Sequence, residues 1–248
     1  MEQVRVSKIL SELGLCSRRE ADKYIEQGLV LLDGEVVDQL GTKALRSQKV
    51  ELLKKASKNQ SLKATVILNK PVGYISHLDD QKEFKPASSL IIPDNYNNSN
   101  NQESTSKRSP IFNRDGLAPA GRLDIDSSGL LVLTQDGRIA KQIIGEESAE
   151  IEKEYLVRVE GVLSDNNLQL LNHGLTLDDY ELKPAKVSWQ NKDQLKFVLI
   201  EGRNRQIRKM CELVGLKVKG LKRVRIGNVR LSDLPEGRWR FLSEEESF

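Results

Sequence analysis

Residues 120–134 read AGRLDIDSSGLLVLT, a short polar loop followed directly by an apolar run. The run LLVL at residues 130–133 has the composition of a buried β-strand. Asp124 and Asp126 lie in the loop before it, where a carboxylate can reach the floor of a cleft that is backed by hydrophobic core. An aspartate in such a loop is also an ordinary turn or cap residue, so the segment by itself leaves catalysis open.

Strands and one clear helix on either side of this segment indicate an α+β domain. Apolar runs at residues 65–68, 155–159 and 196–200 predict strands. Helical spacing after the last run ends at Gly215 and predicts a buried face that consists of Ile207, Met210, Cys211 and Val214. Cys211 is therefore predicted to be a core residue. Strands interspersed with few helices favour a mixed, mainly antiparallel β-sheet.

The first sixty residues form a separate pattern of two short helices and a hairpin. The first helix has an apolar face, formed by Ile9, Leu10 and Leu13, and it stops at Gly14. The second opens at Ser17 and Glu20, which fit a capping box. It turns Ala21, Tyr24 and Ile25 inward and leaves Arg18, Arg19 and Lys23 near its exposed side. The pair Asp33-Gly34 then predicts a two-residue hairpin turn.

Two polar segments set the domain boundaries. Residues 53–63 contain few large apolar side chains and predict a linker, so we assign residues 1–62 to a small N-terminal domain with its linker. Residues 63–248 then form the second domain. Within it, residues 94–110 are rich in Asn and Ser without an apolar period, which predicts a mobile insertion.

Charge is concentrated in one part of the chain. The net charge is only +3, but residues 202–225 contain nine basic residues and one acidic residue, Glu212. Such a run can be a solvated face, yet its local excess favours a polyanionic partner.

Composition excludes several classes of protein. Cys16 and Cys211 are the only cysteines, and His77 and His173 the only histidines, which argues against a disulfide scaffold or a metal site of imidazole and thiolate. We expect no cofactor. The sequence has no stretch of 18 apolar residues and its first residues lack the apolar core of a secretory signal, so we expect no membrane segment and a cytoplasmic protein.

Several blocks of the sequence resemble one enzyme family. The segment GLCSRREA at residues 14–21, with the helix-helix-hairpin pattern, resembles an S4-type RNA-binding domain. The loop GRLD at residues 121–124 resembles the catalytic signature of pseudouridine synthases that modify ribosomal RNA. The segments NKPVG at 69–73, KEY at 153–155 and GRNRQIR at 202–208 resemble three further blocks of that family, in the family's order.

The resemblance implies a role for three of the site residues. Asp124 is the catalytic aspartate, Tyr155 lies in the active site, and Arg208 pairs with Asp124. From the residue types themselves, we expect Ile207 to form part of an apolar floor beneath the uracil, although its helical spacing also fits plain core. We expect Arg122 to contact RNA, with a surface ion pair as the alternative. Arg203 and Arg205, with Arg18, Arg19 and Lys23 of the first domain, are expected to bind RNA, although the arginines of the first domain could also merely solvate a helix. Because the resemblance implies one catalytic aspartate, we assign Asp126 to the structure of the loop. We expect Arg223 to contact an RNA phosphate.

The implied reaction is isomerisation of uridine to pseudouridine, without a cofactor or a metal. The catalytic blocks look most like those of enzymes that act on large-subunit ribosomal RNA, so the expected partner is ribosomal RNA or a ribosome-assembly intermediate. Transfer RNA remains an alternative substrate. A non-catalytic RNA-binding or ribosome-assembly protein is a second alternative, although it would leave GRLD and Arg208 unexplained. We expect a monomer.

Overall fold

The computed structural model describes residues 2–77, 83–97, 112–145 and 151–248. Its first part, here called the N-terminal module, has its own hydrophobic core around Leu10, Ile25 and Val30. The module and the helix after it comprise β1 (Gln3–Arg5), α1 (Val6–Glu12), α2 (Arg18–Glu26), β2 (Val30–Leu32), β3 (Glu35–Val37), β4 (Lys43–Leu45), β5 (Val50–Leu52) and α3 (Lys54–Ser61).

The helix-helix-hairpin pattern is confirmed. Ser17 Oγ accepts the Glu20 amide and Glu20 Oε2 accepts the Ser17 amide at 2.6 Å, which is the expected capping box at the start of α2. β2 and β3 pair antiparallel across Asp33-Gly34, and β5 adds a third strand. Leu13, expected on the buried face of the first helix, is instead 58% exposed, because α1 ends at Glu12 and Leu13 lies beyond it as the C-cap residue.

The segment predicted as a linker, residues 53–63, contains α3 instead of extended chain. Its small and polar residues supply only Ala56 and Gln60 as buried side chains. Ala56 joins the core of the N-terminal module. The absence of an amphipathic apolar stripe is why the pattern did not predict a helix.

The second part is an α+β domain on one large sheet. Its elements are β6 (Thr65–Lys70), β7 (Tyr74–Ile75), β8 (Lys85–Pro86), β9 (Ala118–Pro119), β10 (Ser128–Thr134), α4 (Gly137–Ile144), β11 (Lys153–Glu160), α5 (Asp165–Asn172), β12 (Thr176–Leu177), β13 (Tyr180–Glu181), β14 (Lys186–Asn191), β15 (Gln194–Leu199), α6 (Gln206–Leu213), β16 (Lys217–Ile226), β17 (Val229–Arg230) and β18 (Trp239–Phe241).

The large sheet has the strand order β14-β15-β11-β16-β10-β6-β18. Two short strands lie off this path, β9 beside β10 and β17 beside β16. Along this path only β10 and β16 run parallel, so the prediction of a mixed, mainly antiparallel sheet is confirmed. β6 and β10 are buried on both faces, since alternate residues enter different cores. Leu68 and Leu131 enter one core, whereas Ile67 and Leu130 enter the other.

The predicted insertion at residues 94–110 lies mostly outside the described residues, which resume at residue 112. Its first part is packed: Tyr96 lies 4.9 Å from the Trp239 ring, centroid to centroid. In the described part of the chain, no helix is both long and apolar enough to cross a membrane.

A buried polar joint connects the N-terminal module to the start of α4. Glu20 Oε1 accepts the Gly137 amide at 3.1 Å and also pairs with Lys63. The side chain of Gln60 accepts the Tyr24 hydroxyl at 3.1 Å and donates to Asp136 Oδ1 at 3.0 Å. Two of these bonds, from Gly137 to Glu20 and from Gln60 to Asp136, cross from the N-terminal part to the start of α4.

Gln60 offers a test of this joint. Gln60→Leu keeps the volume but leaves the Tyr24 hydroxyl and one Asp136 contact unpaired, which should lower the free energy of unfolding by about 1–3 kcal/mol. Urea denaturation measures the change. The exposed Gln27 is the control, since Gln27→Leu should change stability by less than about 0.5 kcal/mol. Equal stabilities of the two variants would contradict a contribution from the joint.

Candidate active site

The loop that carries Asp124 is held by backbone and side-chain bonds from the β6–β7 turn. The Gly73 amide donates to Ile125 O at 2.8 Å. Ser76, which is 3% exposed, donates its hydroxyl to Leu123 O at 2.7 Å and accepts the Leu123 amide at 2.8 Å. The Ser127 amide closes the turn on Asp124 O at 3.0 Å. Asp124 therefore lies on a fixed backbone.

Asp126 holds two arginines of the segment that leads into α6. Arg205 donates to both of its carboxylate oxygens, at 3.2 and 3.1 Å. Arg208 Nη2 lies 3.2 Å from Asp126 Oδ2 and donates to the Asp126 carbonyl at 2.8 Å. Burial acts to raise the pKa of Asp126, but the bonds from Arg205 and the charge of Arg208 outweigh it and hold the pKa below its ordinary value.

Arg208 was expected to pair with Asp124, and the structure does not show this pair. The guanidinium instead contacts Asp126, because the carbonyl and carboxylate of that residue both face it. The arginine nearest to Asp124 is Arg205, whose Nη1 lies 3.8 Å from Asp124 Oδ2. The side chain of Asp124 is 35% exposed, so this contact is a weak one in water.

Arg223 supports the same loop from inside the sheet. It is 3% exposed, and its Nε donates to Leu130 O at 2.8 Å while Nη1 donates to Arg122 O at 3.3 Å. The expected phosphate contact at Arg223 is therefore wrong, because a side chain this buried is enclosed by the sheet. Its neighbour Gly129 has φ +104°, and a Cβ there would lie 2.2 Å from Arg223 O.

One cavity of about 550 Å³ brings the sequence-predicted residues of the second domain together. Its lining includes Asp124, Tyr155 and Arg208, together with Arg122, Arg203, Arg205 and Ile207. Tyr155 and Ile207 are 8% and 5% exposed, so they form an apolar wall behind the polar loop. Arg122 is exposed, and the Arg203 guanidinium lies 3.2 Å from the centroid of the Tyr180 ring.

The predicted RNA-binding residues of the N-terminal module do not line this cavity. Arg18, Arg19 and Lys23 are exposed along α2. The basic run at 202–225 also has fewer unpaired cations than its composition indicates, because some of them form ion pairs. Arg225 pairs with Glu152 and Glu154 at 2.9 and 3.0 Å, and Lys209 with Asp178 at 2.5 Å.

Several residues of the site were not predicted. Ser76 carried no signal, since its role depends on a contact with a loop 47 residues away. Lys70, fully buried, donates to the carbonyls of Pro71 and Tyr74 at 2.9 and 2.8 Å, and burial lowers its pKa to about 8. Lys153 also lines the cavity and lay inside the block KEY, where only the tyrosine was singled out. Among the described residues, no cluster of three or more metal-ligating side chains occurs.

The α+β sheet, the loop aspartate Asp124 in a cavity and the helix-helix-hairpin module fit the class that the sequence blocks predicted, an enzyme that modifies RNA. Comparison with known proteins agrees. The family model of RNA pseudouridylate synthase matches residues 64–213, and the S4 domain model matches residues 4–50. The chain therefore belongs to the RNA pseudouridine synthase family, as the sequence blocks predicted, and carries an S4 domain at its N-terminal end.

Relatives match along nearly the whole chain. The Dual-specificity RNA pseudouridine synthase RluF of Escherichia coli (strain K12) is 37% identical, over 98% of this chain and 77% of the relative. Ribosomal large subunit pseudouridine synthase B of Bacillus subtilis is 33% identical, over 98% of this chain and 93% of the relative. A crystal structure of a pseudouridylate synthase superposes with a TM-score of 0.62 at 26% identity, covering 97% of this chain and 96% of that one.

Ser76 tests whether the loop must be clamped. Ser76→Ala removes both bonds to Leu123 and leaves its buried amide and carbonyl unpaired, so the free energy of unfolding should fall by about 1–3 kcal/mol. The rate of pseudouridine formation should fall as well, because Asp124 loses its fixed position. Ser89→Ala is the control, since Ser89 is exposed and bonds only its own turn, to Pro86 O. A Ser76→Ala enzyme with unchanged stability and rate would exclude the clamp.

Proposed function

We propose that this enzyme converts specific uridines of ribosomal RNA, in the large subunit, to pseudouridine, with Asp124 as the catalytic carboxylate. The observation that carries the proposal is that one cavity contains Asp124, Tyr155 and Arg208 together, as the sequence blocks predicted. The substrate class rests on relatives whose names specify the large ribosomal subunit or an RNA pseudouridine synthase of dual specificity. A ribosomal RNA substrate also fits the expected cytoplasmic location.

The reaction requires one ionised carboxylate beside the uracil. The bond between ribose C1′ and uracil N1 breaks, the base turns, and C1′ is rejoined through C5. A carboxylate can attack the base or the sugar, or balance positive charge on the sugar. Asp124 suits this role because Asp126, two residues on, already bonds Arg205 and Arg208 and thus leaves the Asp124 oxygens comparatively unengaged.

The remaining cavity residues take roles around the base. Tyr155 stacks on the uracil and accepts the C5 proton, and Ile207 forms the apolar floor beneath it. Arg208 acts by holding the loop at Asp126, and Arg122 contacts the RNA at the cavity rim. The target nucleotide leaves the stack to enter the cavity, which costs a few kcal/mol. Phosphate contacts from Arg203, Arg205 and α2 of the S4 domain offset this cost.

A second substrate is favoured by one observation. The relatives at 37% identity are named as dual-specificity enzymes, so transfer RNA is a candidate besides ribosomal RNA. Incubation of the enzyme with transcripts of large-subunit ribosomal RNA, small-subunit ribosomal RNA and transfer RNA, followed by pseudouridine mapping, distinguishes these substrates. Modification of none of the three, by a folded enzyme that binds RNA, would favour a non-catalytic assembly role.

Exchange of each loop aspartate for asparagine separates their roles. Asp124→Asn should reduce single-turnover pseudouridine formation by more than about 100-fold, since the carboxylate charge is lost with little change in volume. RNA affinity and melting temperature should remain near wild type. Asp126→Asn should retain measurable activity but melt earlier, because it weakens the bonds to Arg205 and Arg208. Full activity of Asp124→Asn would refute the assignment.

The S4-domain arginines predict a change in salt dependence. Arg18→Glu with Arg19→Glu should weaken binding of the large-subunit transcript and reduce the slope of log affinity against log salt, by roughly 0.7–0.9 for each lost phosphate contact. Filter binding at several salt concentrations gives the slope. A doubly substituted control just after the S4 domain, Lys54→Glu with Lys55→Glu at the exposed start of α3, should change the slope less. Identical slopes for wild type and the α2 variant would show that this face does not meet RNA.

A further inference from the structure

Lys153 and Arg223 form a pair of cations on the cavity wall for which the chemistry above has no role. Lys153 and Tyr155 alternate along β11, so both side chains project from the same face of the strand. A register shift between Glu154 and Tyr155 places Arg223, not Val224, opposite Tyr155 on β16. β-Bulges next to active sites commonly re-aim a side chain in this way. Lys153, Tyr155 and Arg223 all line the cavity.

The pair is electrostatically unfavourable without a ligand. Burial, and then the charge of Arg223, lower the pKa of Lys153. Within residues 2–77, 83–97, 112–145 and 151–248, no carboxylate forms an ion pair with Lys153. Arg223 uses Nε and Nη1 on backbone carbonyls, while its buried Nη2 has no hydrogen-bond partner. The ammonium of Lys153 therefore reaches the cavity with unused donors, whereas Nη2 of Arg223 is enclosed by protein and only keeps a second positive charge nearby.

A purely structural role fits Lys153 poorly. Lys70 shows what a structural lysine looks like here, since its ammonium bonds two carbonyls, Pro71 O and Tyr74 O. In the described part of the chain, the ammonium of Lys153 has no comparable acceptor. Unsatisfied cationic donors beside a cavity are typical of sites that receive an oxygen carrying negative charge.

We propose that Lys153 binds a carbonyl oxygen of the extruded uracil and stabilises the negative charge that the base acquires during the reaction. This inference deepens the proposed function and rests on it, because it assumes that the base enters the cavity beside Asp124. Lys153 would then act on the base, while Asp124 acts on the sugar or on the ring carbon that it attacks.

The charge appears in either route of the reaction. If C1′–N1 breaks first, its electron pair stays on the base and spreads from N1 onto O2 and O4, while Asp124 balances or bonds C1′. If Asp124 attacks C6 first, the electron pair of the C5–C6 double bond moves towards C4 and develops charge on O4. In both routes C1′–N1 has broken when C5 bonds C1′. Any bond from Asp124 to C1′ or C6 breaks with its electron pair returning to the carboxylate, the C5 proton leaves as the ring regains its C5–C6 double bond, and N1 takes up a proton. No oxidant or reductant is needed.

A backbone phosphate is the competing occupant, and the geometry favours the base. Lys153 is half-buried and projects from the same face of β11 as Tyr155, the residue expected to stack on the uracil. A phosphate lies on the outside of an extruded nucleotide, where exposed cations such as Arg122 meet it more readily. Phosphate contacts contribute affinity and salt dependence, whereas a donor to the reacting base contributes to the rate.

Substitution of Lys153 tests the proposal on the full-length enzyme with an unmodified large-subunit ribosomal RNA transcript. Single-turnover rates at saturating enzyme remove the binding term. Lys153→Met should lower this rate by about 100-fold, as loss of one donor to a developing oxyanion does elsewhere. Its dissociation constant and salt slope should stay at wild-type values. Lys153→Arg keeps the charge and should recover most of the rate.

Lys196→Met is the matched control. Lys196 is also half-buried, lies opposite Leu156 on the neighbouring strand β15, and does not line the cavity. Its variant should react at the wild-type rate. Circular dichroism melting of each variant identifies any that fails to fold. If Lys153→Met does, Lys153→Gln replaces it, because it also removes the charge but keeps a polar side chain, and its rate is compared with that of Lys153→Arg.

The outcomes are distinct. A full saturating rate in Lys153→Met would overturn the proposal, and so would a loss confined to affinity and salt slope, which would indicate a phosphate contact. Equal rate losses in Lys153→Met and Lys153→Arg would also overturn it, since charge would then be irrelevant. An active Asp124→Asn enzyme would reject the proposed active site itself, whereas an inactive Asp124→Asn with a fast Lys153→Met rejects only the role of Lys153.

Discussion

The parallel contact between β10 and β16 leaves no room for a side chain at Gly129. A Cβ at that position would lie 2.2 Å from Arg223 O and 2.7 Å from Arg223 N, and the φ of +104° is itself one that glycine adopts most readily. Because the two backbones approach so closely, Arg223 can reach the carbonyls of Leu130 and Arg122 on both sides of the Asp124 loop. A cation inside the sheet thus holds the loop by its backbone and uses no side chain of the loop.

The two loop aspartates are in different environments as a result of this arrangement. Asp126 bonds Arg205 and Arg208, which hold its pKa low and join the loop to the start of α6. Asp124, two residues earlier, has one long contact to Arg205 at 3.8 Å and is 35% exposed. Asp126, with its strong bonds, positions the loop, whereas Asp124, without such bonds, faces the cavity. Neighbouring acids can differ in role for this reason alone.

Local patterns predicted the parts of the structure that depend on nearby residues. The capping box at Ser17 and Glu20, the hairpin at Asp33-Gly34 and the buried face of α6 each follow from spacings of a few residues, and each is present. The motif blocks also named seven of the side chains of the second domain that line the cavity. Block order in the sequence carries that information because the family fold brings the blocks together.

Features that depend on distant contacts were missed or misassigned. Arg223 looked like one more cation of a basic run, and only the approach of β10 to β16 shows that it is buried. The choice of Asp126 over Asp124 by Arg208 depends on loop geometry that composition does not encode. Helix α3 lacks an apolar stripe because it buries only Ala56, in the core of the N-terminal module, and Gln60, in the polar joint.

That joint links the RNA-binding module to the cavity through one short helix. α4 begins at Gly137, whose amide bonds Glu20 and whose missing side chain admits Ser17; a Cβ there would lie 2.4 Å from Ser17 Oγ. The helix ends about 12 Å further on, where Ile143 and Ile144 line the cavity. Glu20 also caps α2, the helix that carries Arg18 and Arg19. Hydrogen bonds are directional, whereas an apolar contact of the same size tolerates sliding. A joint of this kind therefore fixes the orientation of those arginines relative to the cavity.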